Sequence, residues 1–286
     1  MLDAPTSVDP AAAVPRHQAH DSYLYVVGDI HGHHDILHAA LQAAGLVTTS
    51  GDWCGGQTRL WFLGDLVDRG PDGLAVLDLV HRLGIQASQV GGQVATLLGN
   101  HEILLMGARY FGNAVATNAP RGFLDHWLIN GGRHADFTGI TDRHLAWLHG
   151  RPVLALVDDH LLLHADTTAY LDYGDTIDQI NHQIRTILAG RRIDDWWTCF
   201  RQVTRREEFA GKTGIAAAQE IHHKLGGKWI VHGHTPIAHL RNIQPSDITA
   251  VHTYADGSVV ATDSALYEGG PCLITQLPLI GSTNQR

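Results

Sequence analysis

Asp65, Asp68 and Arg69 crowd into one short stretch, Gly64-Asp65-Leu66-Val67-Asp68-Arg69-Gly70. Two carboxylates this close call for a counter-charge. A divalent cation supplies one, and the fork of an arginine suits the oxygens of a phosphate. Asp29 and His31 stand in Gly28-Asp29-Ile30-His31-Gly32, and Asn100, His101 and Glu102 in Gly99-Asn100-His101-Glu102. His164 follows Leu161-Leu162-Leu163, and His234 closes Trp229-Ile230-Val231-His232-Gly233-His234. A donor set that mixes oxygen and nitrogen suits Mn, Fe or Zn better than Ca, which prefers oxygen throughout.

Asp29 and His31 are two apart, so on a continuing strand their side chains leave the same face, roughly 7 Å apart. A carboxylate has lone pairs on two oxygens, which would let Asp65 bridge two ions. Asn100, His164 and His234 would complete the second. Two ions about 3.5–4 Å apart can hold a hydroxide as nucleophile and clamp the oxygens of a phosphoryl group. The leaving alkoxide then needs a proton. His101, beside Asn100, is the natural donor, with Asp68 to orient and charge it, and Arg69 would fork onto the phosphate oxygens.

Something must bring these residues together, and the apolar runs before them indicate what. Tyr23–Val27, Leu60–Leu63, Val94–Leu98, Leu161–Leu163 and Trp229–Val231 each precede one donor group. Continuous apolar runs suit strands buried on both faces, and open α/β sheets bind ligands beyond the carboxyl ends of their strands. Five repetitions of one short pattern outweigh the bland reading of polar turns. Periodicity predicts helices over 35–41, from Leu74 to a stop at Gly84, from Glu102, over 123–128 and over 175–188. A strand pair is expected over 152–157 and 160–164, a hairpin over 247–262 turning at Asp256-Gly257, and a last strand over 273–277. Residues 1–20 read as a mobile tail and 21–286 as one domain, with segments 111–133 and 191–227 beside the site as a cap.

The chain has 286 residues, with 44% hydrophobic and 17% charged, enough apolar material for a sizeable core. A formal charge of −9 argues against nucleic acid and anionic membranes as partners. Three widely spaced cysteines without a C-x-x-C pair suit reduced thiols. No run nears the ~18 apolar residues of a membrane span, and the N-terminus lacks a basic-then-apolar leader, so a cytoplasmic location is expected.

The three motifs Gly28–Gly32, Gly64–Gly70 and Gly99–Glu102 together resemble the signature of the calcineurin-like metallophosphoesterases, and within them the phosphoprotein phosphatases. His164-Ala165-Asp166, Trp127-Leu128-Ile129-Asn130-Gly131-Gly132 and Gly233-His234-Thr235-Pro236 are most similar to the bacterial and phage members. The resemblance runs from 23 to about 265 and implies an α/β fold, a two-sheet β-sandwich flanked by helices. It implies one metal on Asp29, His31 and Asp65, and another on Asp65, Asn100, His164 and His234, with Mn the first expectation and Fe or Zn the others. It also implies a second phosphate-binding arginine between His164 and His234, where Arg201, Arg205 and Arg206 compete and Arg205 is our choice.

The implied activity is hydrolysis of phosphomonoesters on Ser/Thr proteins, extending to phosphotyrosine. A symmetrical diadenosine tetraphosphatase of the same superfamily is the rival, and a non-catalytic phospho-binding scaffold the third reading. The intact Asp68-Arg69 pair favours the first. The chain departs from eukaryotic members at Leu98, where they carry arginine, and at His33. Among the bland readings, Glu102 serves the turn, His232 has a structural role, Trp127 and Trp196-Trp197 pack, and His33, His34 and His38 lie at a surface helix start.

Overall fold

The structure, a computed structural model, describes residues 23–279. The tail read over 1–20 lies outside them. The strands are β1 (Leu24–Val27), β2 (Arg59–Phe62), β3 (Gln93–Thr96), β4 (Leu154–Val157), β5 (His160–Leu163), β6 (Trp229–His232), β7 (His252–Tyr254), β8 (Val259–Ala261) and β9 (Thr275–Leu277). One sheet has the order β3-β2-β1-β9, its first three strands parallel and β9 antiparallel. The other has the order β4-β5-β6-β8-β7, with β5, β6 and β8 parallel between antiparallel edges.

Alternate residues of each strand serve two cores. Leu24, Val26, Trp61, Leu63 and Leu97 of the first sheet meet Val157, Leu162, Val231 and Val260 of the second, filling the space between the sheets. Their neighbours Val27, Leu60, Phe62, Leu161, Leu163 and Ile230 face outward, into the cluster formed with the helices. A strand with apolar partners on both faces has no reason to alternate, which is why these runs read as continuous. The two-sheet sandwich flanked by helices is the fold expected.

The helices are α1 (His34–Ala43), α2 (Gly73–Gln89), α3 (Asn100–Phe111), α4 (Phe123–Ile129), α5 (His134–Gly139), α6 (Asp142–His149), α7 (Ile177–Ala189), α8 (Ile193–Val203), α9 (Gly211–Leu225) and α10 (Ile237–Arg241). Several boundaries differ from expectation, and two of the differences have a visible cause. α2 does not stop at Gly84 but continues to Gln89. A Cβ at Gly84 would stand 3.1 Å from the carbonyl oxygen of Val94, so the glycine marks a close approach of α2 to β3 rather than an end. α3 begins at Asn100, two residues before Glu102, because the Glu102 carboxylate reaches back to the Gly99 N–H at 2.9 Å and caps the first turn. The hairpin of β7 and β8 turns where expected, and α5 and α6 occupy a stretch that periodicity left unassigned.

The cap segment is tied to α3 and α8 by aromatic edges. Phe123 meets Trp197 edge-on with centroids 5.6 Å apart, and Phe111 meets Trp196 at 5.5 Å. Gly107 of α3 lies directly against the Phe123 ring, leaving no room for a side chain there. Among the described residues, no helix is long and apolar enough to cross a membrane.

Candidate metal centre

Six strand ends converge on one buried cluster. β1 delivers Asp29 and His31, β2 Asp65, β3 Asn100, β5 His164, β6 His234, and β8 adds Asp263, which the sequence reading did not single out. All seven are buried. Delivering side chains back over the strand ends needs tight turns, and the backbone shows them. His31, Asp65, Asp68, Arg69 and His234 have φ of 47°, 52°, 69°, 63° and 63°, the left-handed region that residues with a Cβ avoid. Such positions cost on the order of 1–3 kcal/mol each and persist only where the surroundings over-determine them.

The restraints are specific. Ile30 and His31 donate their N–H groups to the Asp65 carbonyl at 3.1 and 2.9 Å, and Gly70 N–H donates to the His31 carbonyl at 2.8 Å. Glu102 accepts from Asp65 N–H and Leu66 N–H at 2.9 and 2.7 Å besides Gly99, so one carboxylate binds β2's end to β3's. That confirms its reading as a turn residue. His234 N–H donates to Asp29 Oδ1 at 2.9 Å, which ties the two sheets together. Gly99 and Gly233 lie against Asp65 Oδ1 and Asp29 Oδ1 so closely that a Cβ at either would collide with the carboxylate.

The imidazoles are oriented by backbone carbonyls. His31 Nδ1 lies 2.9 Å from Val67 O, and His164 Nδ1 2.8 Å from Leu63 O. With Nδ1–H donating there, each Nε2 lone pair points inward. His31 Nε2 is 3.9 Å from Asp29 Oδ2 and 3.8 Å from Asp65 Oδ2. His164 Nε2 is 2.8 Å from Asn100 Oδ1 and 3.4 Å from Asp65 Oδ1. His234 is turned the other way, Nε2 3.1 Å from Thr204 O, which leaves Nδ1 for the cluster. Lone pairs of nitrogen and oxygen that converge with no proton between them are a donor set that fits a cation.

The electrostatics agree. Burial, then Asp263 and Asp65, hold Asp29 well above the usual carboxylate range. Burial likewise pushes Asp263 up to about 6. Burial acts on Asp65 in the same direction, but His164, His101, His31 and His234 outweigh it and hold the group well below its ordinary value. Burial depresses His31, His164 and His234, as suits neutral ligands. Two trios have their donor atoms within 4.8 Å of one another, His31-Asp65-His101 and Asp65-His164-His234, sharing Asp65.

His101 belongs to the first trio by distance, yet its Nδ1 is held by Asp68 Oδ2 at 2.7 Å and its Nε2 lies 3.2 Å from Arg69 Nη2. Trp127, read as packing, also donates its indole N–H to Asp68 Oδ1 at 2.7 Å, so Asp68 is held from both sides. The Arg69 guanidinium lies 4.0 Å over the Tyr267 ring, another neighbour that no motif marked. Arg205, our choice for the second phosphate-binding arginine, is engaged with neighbours on its own segment. It pairs with Glu208 at 2.5 Å and reaches Gln202. Arg206 is the one whose charge bears on His164, His234 and Asp263. Asp166 accepts from the Glu207 N–H at 2.8 Å and from the Thr235 hydroxyl, and so anchors the segment that carries both arginines.

The profile of the calcineurin-like phosphoesterases matches residues 23–238. A Shewanella-like protein phosphatase 2 of Arabidopsis thaliana is 38% identical over 81 residues, 28% of this chain and 21% of that protein. A symmetrical bis(5'-nucleosyl)-tetraphosphatase of Photorhabdus laumondii is 36% identical over 150 residues, 52% of this chain and 46% of that one. The chain therefore spans about half the length, or less, of these curated relatives. The cold-active protein-tyrosine phosphatase of a psychrophilic Shewanella superposes with a TM-score of 0.67 at 21% identity, over 90% of this chain and 75% of that one, a likeness of fold. A serine/threonine phosphatase of Saccharomyces cerevisiae gives 0.54 at 17%, over 86% and 68%. With its strand-end donors, its two-sheet frame and a profile match across 23–238, the chain belongs to the calcineurin-like phosphoesterase family.

Proposed function

We propose that the protein hydrolyses phosphomonoesters, with phosphoserine and phosphothreonine of proteins as its substrates and reach to phosphotyrosine. Asp29, His31 and Asp65 would hold one metal ion, and Asp65, Asn100, His164 and His234 a second, with Mn first and Fe or Zn next. When bound, the ions supply the positive charge that draws the phosphate in and activates water against it. The observation that carries the reading is the Asp68–His101–Arg69 line. Asp68 takes the Nδ1 proton bond at 2.7 Å, which leaves Nε2 of His101 as the acidic nitrogen. Arg69 Nη2 stands 3.2 Å from that nitrogen. At that distance the guanidinium donates to the lone pair of a neutral Nε2. Once His101 is protonated the two groups are both donors, and a phosphate whose leaving oxygen takes the Nε2 proton would accept from both. His101 then gives its Nε2 proton to the departing alkoxide, and Asp68 keeps the resulting imidazole in the right tautomer.

Hydrolysis of dinucleoside tetraphosphates is the second reading, favoured by the tetraphosphatase relative, whose match covers more of this chain than the protein-phosphatase match does. The deciding experiment is turnover of an aryl phosphate after chelation and Mn re-addition, then of a phosphopeptide and diadenosine tetraphosphate side by side. Mn-dependent turnover with the phosphopeptide preferred supports the first reading. Turnover untouched by metal stripping would sink both, and a tetraphosphate preference would replace the first by the second.

A further inference from the structure

A groove runs along α8. Its outer part, about 640 Å³, is lined by Thr117, Asp194, Arg201 and Arg205, and its inner part, about 410 Å³, by His126, Asn130, Trp197, Arg201 and Thr204. Trp197, Arg201 and Arg205 belong to both. The inner end adjoins the site through Thr204. The Thr204 carbonyl accepts from His234 Nε2, and Asn130 precedes Gly131, whose carbonyl accepts the Arg69 N–H at 2.8 Å. A substrate whose phosphate sits at His101 and Arg69 would extend its remaining part into this groove.

The charges along the groove are unequal. Asp194 is occupied, accepting from Thr117 N–H at 2.6 Å and from its hydroxyl, and so pinning the cap to α8. Glu208 is shared between Arg205 and Thr168, and Asp172 accepts from Gln202. Arg201 is exposed and makes no ion pair within 4.0 Å among the described residues, which leaves its charge open to a ligand. On a chain of net charge −9 this positive charge is local. Beside the groove, Leu128 and Ile129 lie 45% and 60% exposed just before Asn130. Cations and apolar side chains side by side fit a polypeptide with acidic residues.

We infer that this groove binds the chain flanking the phosphoresidue, and that Arg201 selects substrates with an acidic side chain near it. The inference rests on the protein-phosphatase reading and deepens it. The test uses two phosphothreonine peptides, one with Asp at the flanking positions and one with Ala there, on the Mn-loaded protein and on R201Q and R201E. The readout is the ratio of kcat/KM for the acidic peptide to that for the neutral one, so any general loss in a variant cancels. A ratio on the order of fivefold is expected in the wild type, the scale of one well-placed exposed charge pair. It should fall to about one in R201Q, invert in R201E and shrink as salt rises. Equal rates on both peptides, or a preference that survives R201Q, overturn the inference while leaving the protein-phosphatase reading in place. Turnover of aryl phosphate or diadenosine tetraphosphate with neither peptide cleaved overturns both.

Discussion

Both ring nitrogens of His101 have partners, Nδ1 Asp68 at 2.7 Å and Nε2 Arg69 at 3.2 Å, and the proposed reading makes this imidazole an acid and not a ligand. His101→Asn should therefore lower kcat for an aryl phosphate by roughly 10²–10⁴-fold, the usual worth of a positioned acid. Metal content measured on the same protein should stay at the wild-type value. If a metal is lost with the imidazole, His101 is a ligand and the acid must be sought elsewhere. Asp68 depends in turn on Trp127. Burial raises the Asp68 carboxyl above its ordinary value, and the bonds from His101 and the indole N–H oppose that. Trp127→Phe keeps most of the ring but leaves a buried carboxylate oxygen without its donor. Urea unfolding should show a loss of about 2 kcal/mol, the scale of a hydrogen bond to a charged group. A loss under about 0.5 kcal/mol, the floor for a net hydrogen bond, would mean that the indole contact holds nothing.

At the scale of elements, the site is made by strand ends and by the turns that double back over them. Gly233 stands between β6 and His234, and its missing Cβ is what lets the turn lie on Asp29. Gly233→Ala should push Asp29 away from its His234 N–H bond, cutting metal occupancy while leaving the far-ultraviolet circular dichroism folded. Full occupancy in that variant would show the turn to be more yielding than its contacts imply. The donors at strand ends were legible in the sequence because the strands are buried on both faces, so each apolar run points unambiguously at the residue that follows it. Arg206 was not legible. Nothing in Arg205-Arg206 distinguishes the two in one dimension; in the fold Glu208 takes Arg205 into an ion pair. Asp263 was missed for a similar reason, since it lies past the short strand β8 and is recognisable only by its burial beside Asp29. The Gly84 stop failed because a glycine at a helix–sheet contact and a glycine at a helix end look alike in one dimension.

For the whole molecule, the two sheets share their interior apolar core but meet at the open edge through charged groups. Asp29 and Asp65 come from the first sheet, and His164, His234 and Asp263 from the second. Three buried carboxylates lie there, and their mutual repulsion is visible in Asp29, held well above its ordinary value by burial, Asp263 and Asp65. A cation between the sheets removes that repulsion and clamps one sheet to the other, whereas the unfolded chain offers the same ligands at scattered positions. Binding to the folded state alone stabilises it by about 2.7 kcal/mol at a hundredfold excess over Kd. The thermal midpoint should therefore rise with Mn concentration and fall on chelation. Asp65→Asn should flatten both responses, because Asp65 is the donor common to the two trios. The same substitution should also lower the midpoint of the chelated protein relative to chelated wild type, since Asp65 is held well below its ordinary value by the surrounding histidines and accepts the His101 N–H at 2.9 Å, so its charge contributes stability at neutral pH. A chelated wild type as stable as the Mn-loaded one would mean that the sheets are held by the apolar filling alone, and that the metal centre contributes nothing to the frame that positions it.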